Sequence, residues 1–294
     1  MILMLIFPIV FFAIQFIFVK EYQNRAGCGI NQGLFMNMVA GGAAFVVLFV
    51  FKGFSLYFTP QNIILAFLVG LCIVTIKTLL VKAVSMGIVS ISTMFYVMGG
   101  TLIPFIFGVL LLNEKLSAYK IMGILLAFLS FLPTIRNNEV NEMGKKVSLK
   151  FIVICFLIFF ANGTSGVFLK INQNISLKEH TIDFIVIYSF FMFMLSAIGL
   201  FIRKTKSDDK DFFQMFKFKN VGSALKVSIC NTTANIFALN LAKKLPASVQ
   251  FPVTMIGIVV LTTILSMIIL KEIPTRKIII SLALVVMAIV FLVI

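Results

Sequence analysis

Tryptophan is absent from this chain of 294 residues, and only one histidine is present. That histidine, His180, precedes Asp183 at a spacing that allows both to share a helix face. No nucleophile and no cluster of metal-ligating residues accompanies the pair. Glycine-rich phosphate loops are missing too, so direct use of ATP is not expected. The sequence therefore predicts no enzyme, no metal site and no cofactor.

Cysteine is scarce, with four residues in the whole chain. Cys72, Cys155 and Cys230 fall inside apolar stretches, so no disulfide framework is expected. The N-terminus begins MILMLIFPIVFFAIQFIFVK and lacks both a basic first region and a small-residue cleavage site before Lys20. We therefore expect the first apolar stretch to be a permanent helix.

Apolar residues dominate what is present. They make up 61% of the chain, only 12% is charged, and the mean hydropathy is +1.13. About 20 apolar residues cross a bilayer as a helix. The sequence predicts an all-α polytopic membrane protein with the bilayer as its surroundings and ten transmembrane spans, approximately 1–19, 31–51, 62–82, 86–112, 117–135, 150–169, 183–202, 221–242, 246–270 and 277–294.

The net charge of +15 does not indicate nucleic acid. Nearly every Lys and Arg flanks a span, where such residues bind lipid headgroups. The segment 203–219 is basic with interleaved aromatic residues, and we interpret it as a membrane-surface loop. Most basic residues fall on the side opposite the termini, so the charge count favours both termini outside the cytoplasm.

An internal repeat relates the two halves of the chain. Residues 90–123 align with 248–281 at a constant offset of 158 residues, which places Glu114 on Glu272. In both copies an apolar run ends in a charged turn, LLLNEKLS or IILKEIPT. Five spans per half is an odd number, so the halves are predicted to be inverted repeats. The predicted units are 1–135 and 150–294, joined by a connecting loop at 136–149.

This arrangement resembles the drug/metabolite transporter superfamily, specifically its EamA-like family. Pro104 and Glu114 match the mid-helix proline and terminal glutamate of the family's fourth span, and Glu272 matches the second glutamate. Asn113 and Lys271 stand where the family has glycine. The second proline and the tryptophan of the first span are also missing. The resemblance implies a membrane transporter with both termini in the cytoplasm, which is opposite to the orientation favoured by the charges.

Polar residues inside the spans are the candidates for function, because polar groups in hydrocarbon are costly unless paired or hydrated. The eighth span is richest: Asn231 and Asn235 share a helix face with small alanines. Such a stripe either packs against another helix or lines a cavity. Tyr96 and Thr254 correspond under the repeat, and we place them near the centre of a shared path. The remaining cavity candidates are Gln15, Asn37, Asn162, Tyr188 and Gln250.

Lys77 is the one basic residue well inside a span. Its long stem could carry the ammonium to the interface, which is the simpler interpretation. The alternative is an inward charge that meets an anionic substrate group, and the repeat places Asn235 at the equivalent position. Glu114 and Glu272 are interpreted as caps of the following spans, with substrate contact at the rim as the alternative.

The sequence as a whole predicts a secondary transporter of a small metabolite, operating by alternating access around a midplane cavity between the repeats. The alternative is a flippase-like transporter of a lipid-linked headgroup. We expect a multi-pass protein of a membrane, specifically a bacterial cell membrane. A homodimer is left open.

Overall fold

The regular structure of the described chain is entirely helical. The structure, a computed structural model, describes residues 2–27, 29–86, 89–113, 117–130, 149–175, 180–204, 218–242 and 244–269, with scattered positions from 280 to 291. No strand occurs in these ranges. After a short 3-10 turn at Ile2–Leu5, the α-helices are α1 (Ile6–Ala26), α2 (Ile30–Phe51), α3 (Pro60–Met86), α4 (Val89–Leu111), α5 (Ala118–Leu129), α6 (Leu149–Ile175), α7 (Thr181–Lys204), α8 (Phe218–Ala242) and α9 (Ala247–Ile269).

Six of these helices, α1, α2, α3, α6, α7 and α9, are long and apolar enough to cross a membrane. Large apolar side chains also cover the outer surface: Phe51, Leu110 and Phe201 are each at least 70% exposed. A soluble protein seldom exposes so much contiguous apolar surface, whereas a bilayer solvates it. The prediction of a helical multi-pass membrane protein is confirmed at this level, by helix length and composition.

The first helix differs from the predicted span of residues 1–19. It begins at Ile6 and continues to Ala26, two turns past Val19, where the continuous apolar run ends. Its final turn is stabilised by an i,i+4 ion pair, with Arg25 Nη2 3.0 Å from Glu21 Oε1. Gly27 then ends the helix with φ of +92°, a conformation that L-residues rarely adopt. Hydropathy detects the apolar part of a helix and misses a polar turn beyond it.

Local capping fixes two of the connections. Pro60 occupies the first position of α3, where its missing N–H costs nothing, and Thr59 Oγ1 accepts from the Asn62 backbone N–H at 3.2 Å. Ser117 precedes α5 and its hydroxyl accepts from the Lys120 backbone N–H at 3.2 Å. These caps set the residue at which each helix begins.

The helices before residue 130 pack mainly against those after residue 149. The most extensive packing pairs α2 with α7, α4 with α6 and α1 with α8, followed by α3 with α6 and α7. Helix α9 lies against α4 and α1, and α8 also packs on α2. Because partners come from opposite halves, any cavity at the centre of the bundle is shared between the halves.

Glycine permits two close helix crossings. A Cβ on Gly99 would overlap the backbone of Phe159, so α4 and α6 approach closely there. A Cβ on Gly257 would lie 2.6 Å from the side chain of Ile9, at the crossing of α9 and α1. Gly99 and Gly257 are also related by the sequence offset. Both glycines therefore sit where a fourth helix meets the first helix of the other half.

Several predicted features fall outside the described residues. Glu114, Glu272 and almost all of the connecting loop 136–149 belong to this group. Only scattered helical positions of the tenth span, 277–294, are described. The count of ten transmembrane helices therefore stays a prediction.

Candidate functional site

A cavity of about 130 Å³ lies among seven helices, α1, α2, α3, α4, α6, α8 and α9. Its polar side chains come from both halves of the chain: Gln15, Gln23, Lys77, Tyr96, Asn162, Ser165, Asn231 and Asn235. The rest of the wall is mostly apolar, and includes Phe12, Phe16, Met36, Phe251 and Met255. An apolar cavity with a few convergent polar groups is typical of small-molecule sites.

Helix α1 turns one face toward this cavity. Gln15, Val19 and Gln23 recur every four residues, and Phe12 and Phe16 lie on the same face. Gln15 is only 6% exposed. Two glutamines of α1, Gln15 and Gln23, are thus directed toward the cavity.

A hydrogen-bonded amide chain joins α1 to α8 at the cavity wall. Asn231 Nδ2 donates to Gln15 Oε1 at 2.9 Å. Asn235 Nδ2 donates in turn to the Asn231 carbonyl at 2.8 Å and lies 3.3 Å from Asn231 Oδ1. Both interpretations of this face therefore apply at once, because the two asparagines pair with neighbours and also line the cavity.

Asn162 forms the corresponding link between α6 and α4. Its Nδ2 donates to the Tyr96 backbone carbonyl at 2.7 Å. The Tyr96 ring packs edge-on against Phe16, with ring centroids 6.0 Å apart. Gly100 lies on the cavity wall one turn after Tyr96 in α4, and Pro104, a further turn on, has no N–H to offer the Gly100 carbonyl.

Lys77 provides the charge of this site. Among the cavity-lining residues it alone carries a charged side chain. Its Nζ is buried and has no hydrogen-bond partner among the described residues. Asn37 holds the helix on either side of it, since Asn37 Nδ2 lies 3.5 Å from the Val74 carbonyl and 3.4 Å from Thr78 Oγ1. Lys77 Nζ therefore lies among protein atoms in this structure.

Six of the ten predicted cavity residues line this cavity, namely Gln15, Lys77, Tyr96, Asn162, Asn231 and Asn235. The other four lie between helices. Asn37 is fully buried against α3, and Tyr188 belongs to the apolar core with Phe184. Gln250 donates from Nε2 to the Ala238 carbonyl at 2.8 Å. Thr254 is buried, with an Oγ1 that has no partner in the described chain.

Gln23 and Ser165 line the cavity but are not among the ten predicted residues. A signal for Gln23 exists in the sequence: it lies two turns after Gln15 on the same helix face. The predicted end of the first span at residue 19 excluded it. Ser165 lies one turn after Asn162, and that spacing is its signal.

A buried ion pair joins the halves at one end of the bundle, hereafter the Asp183 end. Lys52 Nζ, after α2, lies 3.0 Å from Asp183 Oδ1 at the start of α7, outside hydrogen-bond geometry, so the contact is chiefly Coulombic. His180 Nδ1 lies 2.9 Å from Asp183 Oδ2. The imidazole also stacks on Tyr57, with ring centroids 4.0 Å apart.

The opposite end of the bundle, hereafter the Glu21 end, is closed by more exposed charges. Lys226 Nζ of α8 lies 3.5 Å from Glu21 Oε1 of α1, and the lysine side chain is 50% exposed. Arg203 Nε donates to Asn31 Oδ1 at 2.6 Å, joining α7 to α2. Each end of the bundle thus has polar contacts between the halves.

One further surface does not resemble a polar substrate site. A groove between α4 and α6 is lined by Ile103, Ile106, Phe107, Leu110, Leu111, Thr164 and Val167, and it is almost wholly apolar. Within the described ranges, no three His, Cys, Asp or Glu side chains come together to hold a metal ion.

Comparison with known proteins identifies the fold and no family. The chain is similar to a solved crystal structure with a TM-score of 0.66, over 98% of this chain and 95% of the other, at 13% sequence identity. That structure is described only as that of a protein, so the likeness concerns the fold alone. No family model matches the chain, and no curated protein matches it.

Proposed function

We propose that the chain is a secondary transporter of a small metabolite, operating by alternating access around the central cavity. The observation that carries this proposal is the cavity itself. It lies inside a bundle of membrane-spanning helices and collects amides, a tyrosine and a lysine from both halves. Polar groups at that depth are costly unless they meet solvent or a solute.

The packing pattern supports two inverted five-helix repeats. A two-fold relation between the halves exchanges α1 with α6, α3 with α8 and α4 with α9. It converts the α1–α9 contact into α6–α4 and the α1–α8 contact into α6–α3, and all four pairs pack. The same operation converts α2–α8 into α7–α3, which also pack. Lys77 and Asn235, equivalent under the sequence offset, face the same cavity. In transporters built from inverted repeats, the substrate site lies between the halves, and the halves rock about it.

Membership of the EamA-like family belongs to this proposal, on the strength of the repeat and of Pro104. The proposal also includes localisation in a bacterial cell membrane, the absence of enzymatic activity and the absence of a cofactor. The partners that we propose are the bilayer and a small-molecule substrate, without nucleic acid. No contact in the structure bears on a homodimer.

Ligand-dependent thermal stabilisation of the purified chain, followed by counterflow in proteoliposomes, tests the proposal. Amino acids, amines, sugars, nucleosides and short organic acids form the first panel. Asn235→Leu should weaken stabilisation by the active solute at least tenfold, because it removes a cavity amide and fills space. Asn240→Leu is the matched control on the same helix, since Asn240 is exposed and bonds only the Ile236 carbonyl.

Stabilisation that survives Asn235→Leu, or a binding solute that shows no counterflow, would contradict this proposal. The flippase-like alternative makes a separate prediction: movement of a lipid-linked headgroup across liposomes without counterflow of any free solute. The almost wholly apolar groove between α4 and α6 is the feature that favours testing it, because an acyl chain could lie there.

A further inference from the structure

The cavity wall carries a lysine without a negatively charged partner among the described residues. Among the described residues, Lys77 Nζ is buried without a hydrogen-bond partner, and no carboxylate lines the same cavity. Burying an ammonium without a partner is costly, and buried charges in proteins are normally paired. Lys170, by comparison, is buried too, but its Nζ donates to the Leu245 carbonyl at 2.8 Å. The partner that Lys77 lacks can enter the cavity as a solute.

One positive charge complements one negative charge. A phosphate dianion is usually bound by several donors, often including an arginine that donates two parallel hydrogen bonds. No arginine of the described chain lines this cavity. A single ammonium suits a monocarboxylate. The amides of Asn231 and Asn235 lie on the same wall and supply further polar contacts.

The cavity also limits the size of the solute. Its volume is about 130 Å³. A comparable apolar cavity of roughly 150 Å³ accepts a benzene molecule, with about six non-hydrogen atoms. Apart from Lys77 and the amides, the wall offers Phe16, Phe251 and Met255, which suit a short hydrocarbon tail.

We propose that the cavity binds a small monocarboxylate. Lys77 is the counter-ion of the carboxylate, and the hydrocarbon tail of the solute lies against the aromatic wall. This assignment rests on the proposed transport function, because it names the substrate class of that same site. The amide chain from Gln15 to Asn235 positions the remaining polar group of a hydroxylated acid.

The first test compares matched probes on the full-length wild-type protein. Acetate, propionate and lactate are paired with acetamide, propionamide and lactamide, and inorganic phosphate is added as a dianion. Thermal stabilisation is measured as a function of concentration. Carboxylates should stabilise the protein at concentrations at least tenfold below those of the neutral amides. Equal effects of acid and amide, no effect of either, or preference for phosphate would overturn the proposal.

The second test removes the charge. Lys77→Gln should weaken carboxylate binding roughly ten- to a hundredfold, the scale of a lost charged hydrogen bond. Lys77→Arg should retain binding within a few fold. Lys82→Gln is the matched control, because Lys82 lies on the same helix but not on the cavity wall. Unchanged carboxylate affinity in Lys77→Gln would overturn the proposal, and if that variant does not fold, the probe comparison on the wild type still decides.

The two proposals fail in different ways. Carboxylate binding that depends on Lys77 but shows no counterflow in proteoliposomes supports the site and contradicts transport. Counterflow of a neutral or cationic solute, without any carboxylate preference, supports transport and contradicts the monocarboxylate assignment.

Discussion

At the scale of single residues, Asp183 is the least exposed of the charged residues that the structure describes. Its side chain is 2% exposed and contacts both Lys52 and His180. Removing one partner of a buried pair leaves the other charge uncompensated, which costs more than the pair contributes when intact. The contact joins α2 to α7, so it also holds the two halves together at that end.

Asp183→Asn should lower the free energy of unfolding by about 1–3 kcal/mol. We expect less than for a fully enclosed pair, because the Lys52 side chain is 26% exposed and water screens it. Thermal unfolding of the purified protein measures the change. The control is Lys226→Gln at the Glu21 end, where a half-exposed pair should contribute less than about 1 kcal/mol. A larger loss in the control would refute this ranking.

The placement of individual side chains could be predicted only in part. Asn162 and Tyr188 look alike in the sequence, because each is one of a few polar residues in an apolar span. Asn162 lines the cavity, whereas Tyr188 packs in the core against Phe184. The difference arises from the rotation of α6 and α7 about their axes. Packing against other helices fixes that rotation, and hydropathy along one helix does not contain it.

At the scale of helices, the crossing of α4 and α6 depends on the absence of a side chain at Gly99. The Phe159 backbone occupies the space where a Cβ would lie. Backbone atoms cannot rotate away as a side chain can. Close approach through small residues is a common means of associating helices in membranes.

Gly99→Ala should therefore destabilise the fold by roughly 1–3 kcal/mol, the scale of overpacking in a core. Gly222→Ala in α8 is the matched control, because no described atom beyond the adjacent residues and the local helix backbone lies within 4 Å of the position that a Cβ would take. Alanine there should be neutral or stabilising by up to about 1 kcal/mol, since it favours the helix. Thermal unfolding of both variants decides the matter, and equal effects would show that the crossing tolerates a methyl group.

The position of each helix was more predictable than its ends. The predicted span 31–51 corresponds to α2, Ile30–Phe51, because both of its boundaries are marked by polar or turn residues. The span 150–169 ends short of α6, which continues to Ile175. The last turns of α6 contain Asn172 and Gln173, both buried by neighbouring helices. Packing against neighbouring helices buries these amides and so extends the helix beyond its apolar part. Hydropathy along the sequence contains no information on that packing.

At the scale of the whole molecule, the proposed arrangement of five spans per half makes a topological prediction. In that arrangement, five crossings separate the α2–α3 connection from the start of α8. In a background with the four native cysteines replaced by alanine, Phe58→Cys and Phe218→Cys should react from opposite sides of the membrane. Both positions are exposed, by 58% and 90%. A membrane-impermeant thiol reagent, applied before and after permeabilisation, provides the measurement.

Ile175→Cys is the control for this experiment, because four crossings separate it from Phe58 and its side chain is 52% exposed. It should react from the same side as Phe58→Cys. Labelling of positions 58 and 218 from one side would mean an even number of crossings, and the inverted-repeat arrangement would then be wrong.

The two ends of the bundle differ in how much water reaches their ion pairs. At about 0.15 M salt the screening length is roughly 8 Å, and it shortens further as salt is added. Glu21 and Lys226 are open to that ionic atmosphere, whereas Asp183 is shielded from it by protein. Rising ionic strength therefore weakens the Lys226–Glu21 pair more than the Lys52–Asp183 pair, in which water reaches only the lysine. The salt content of the surrounding medium thus acts unequally on the two ends of this molecule, and it acts more strongly on the Glu21 end.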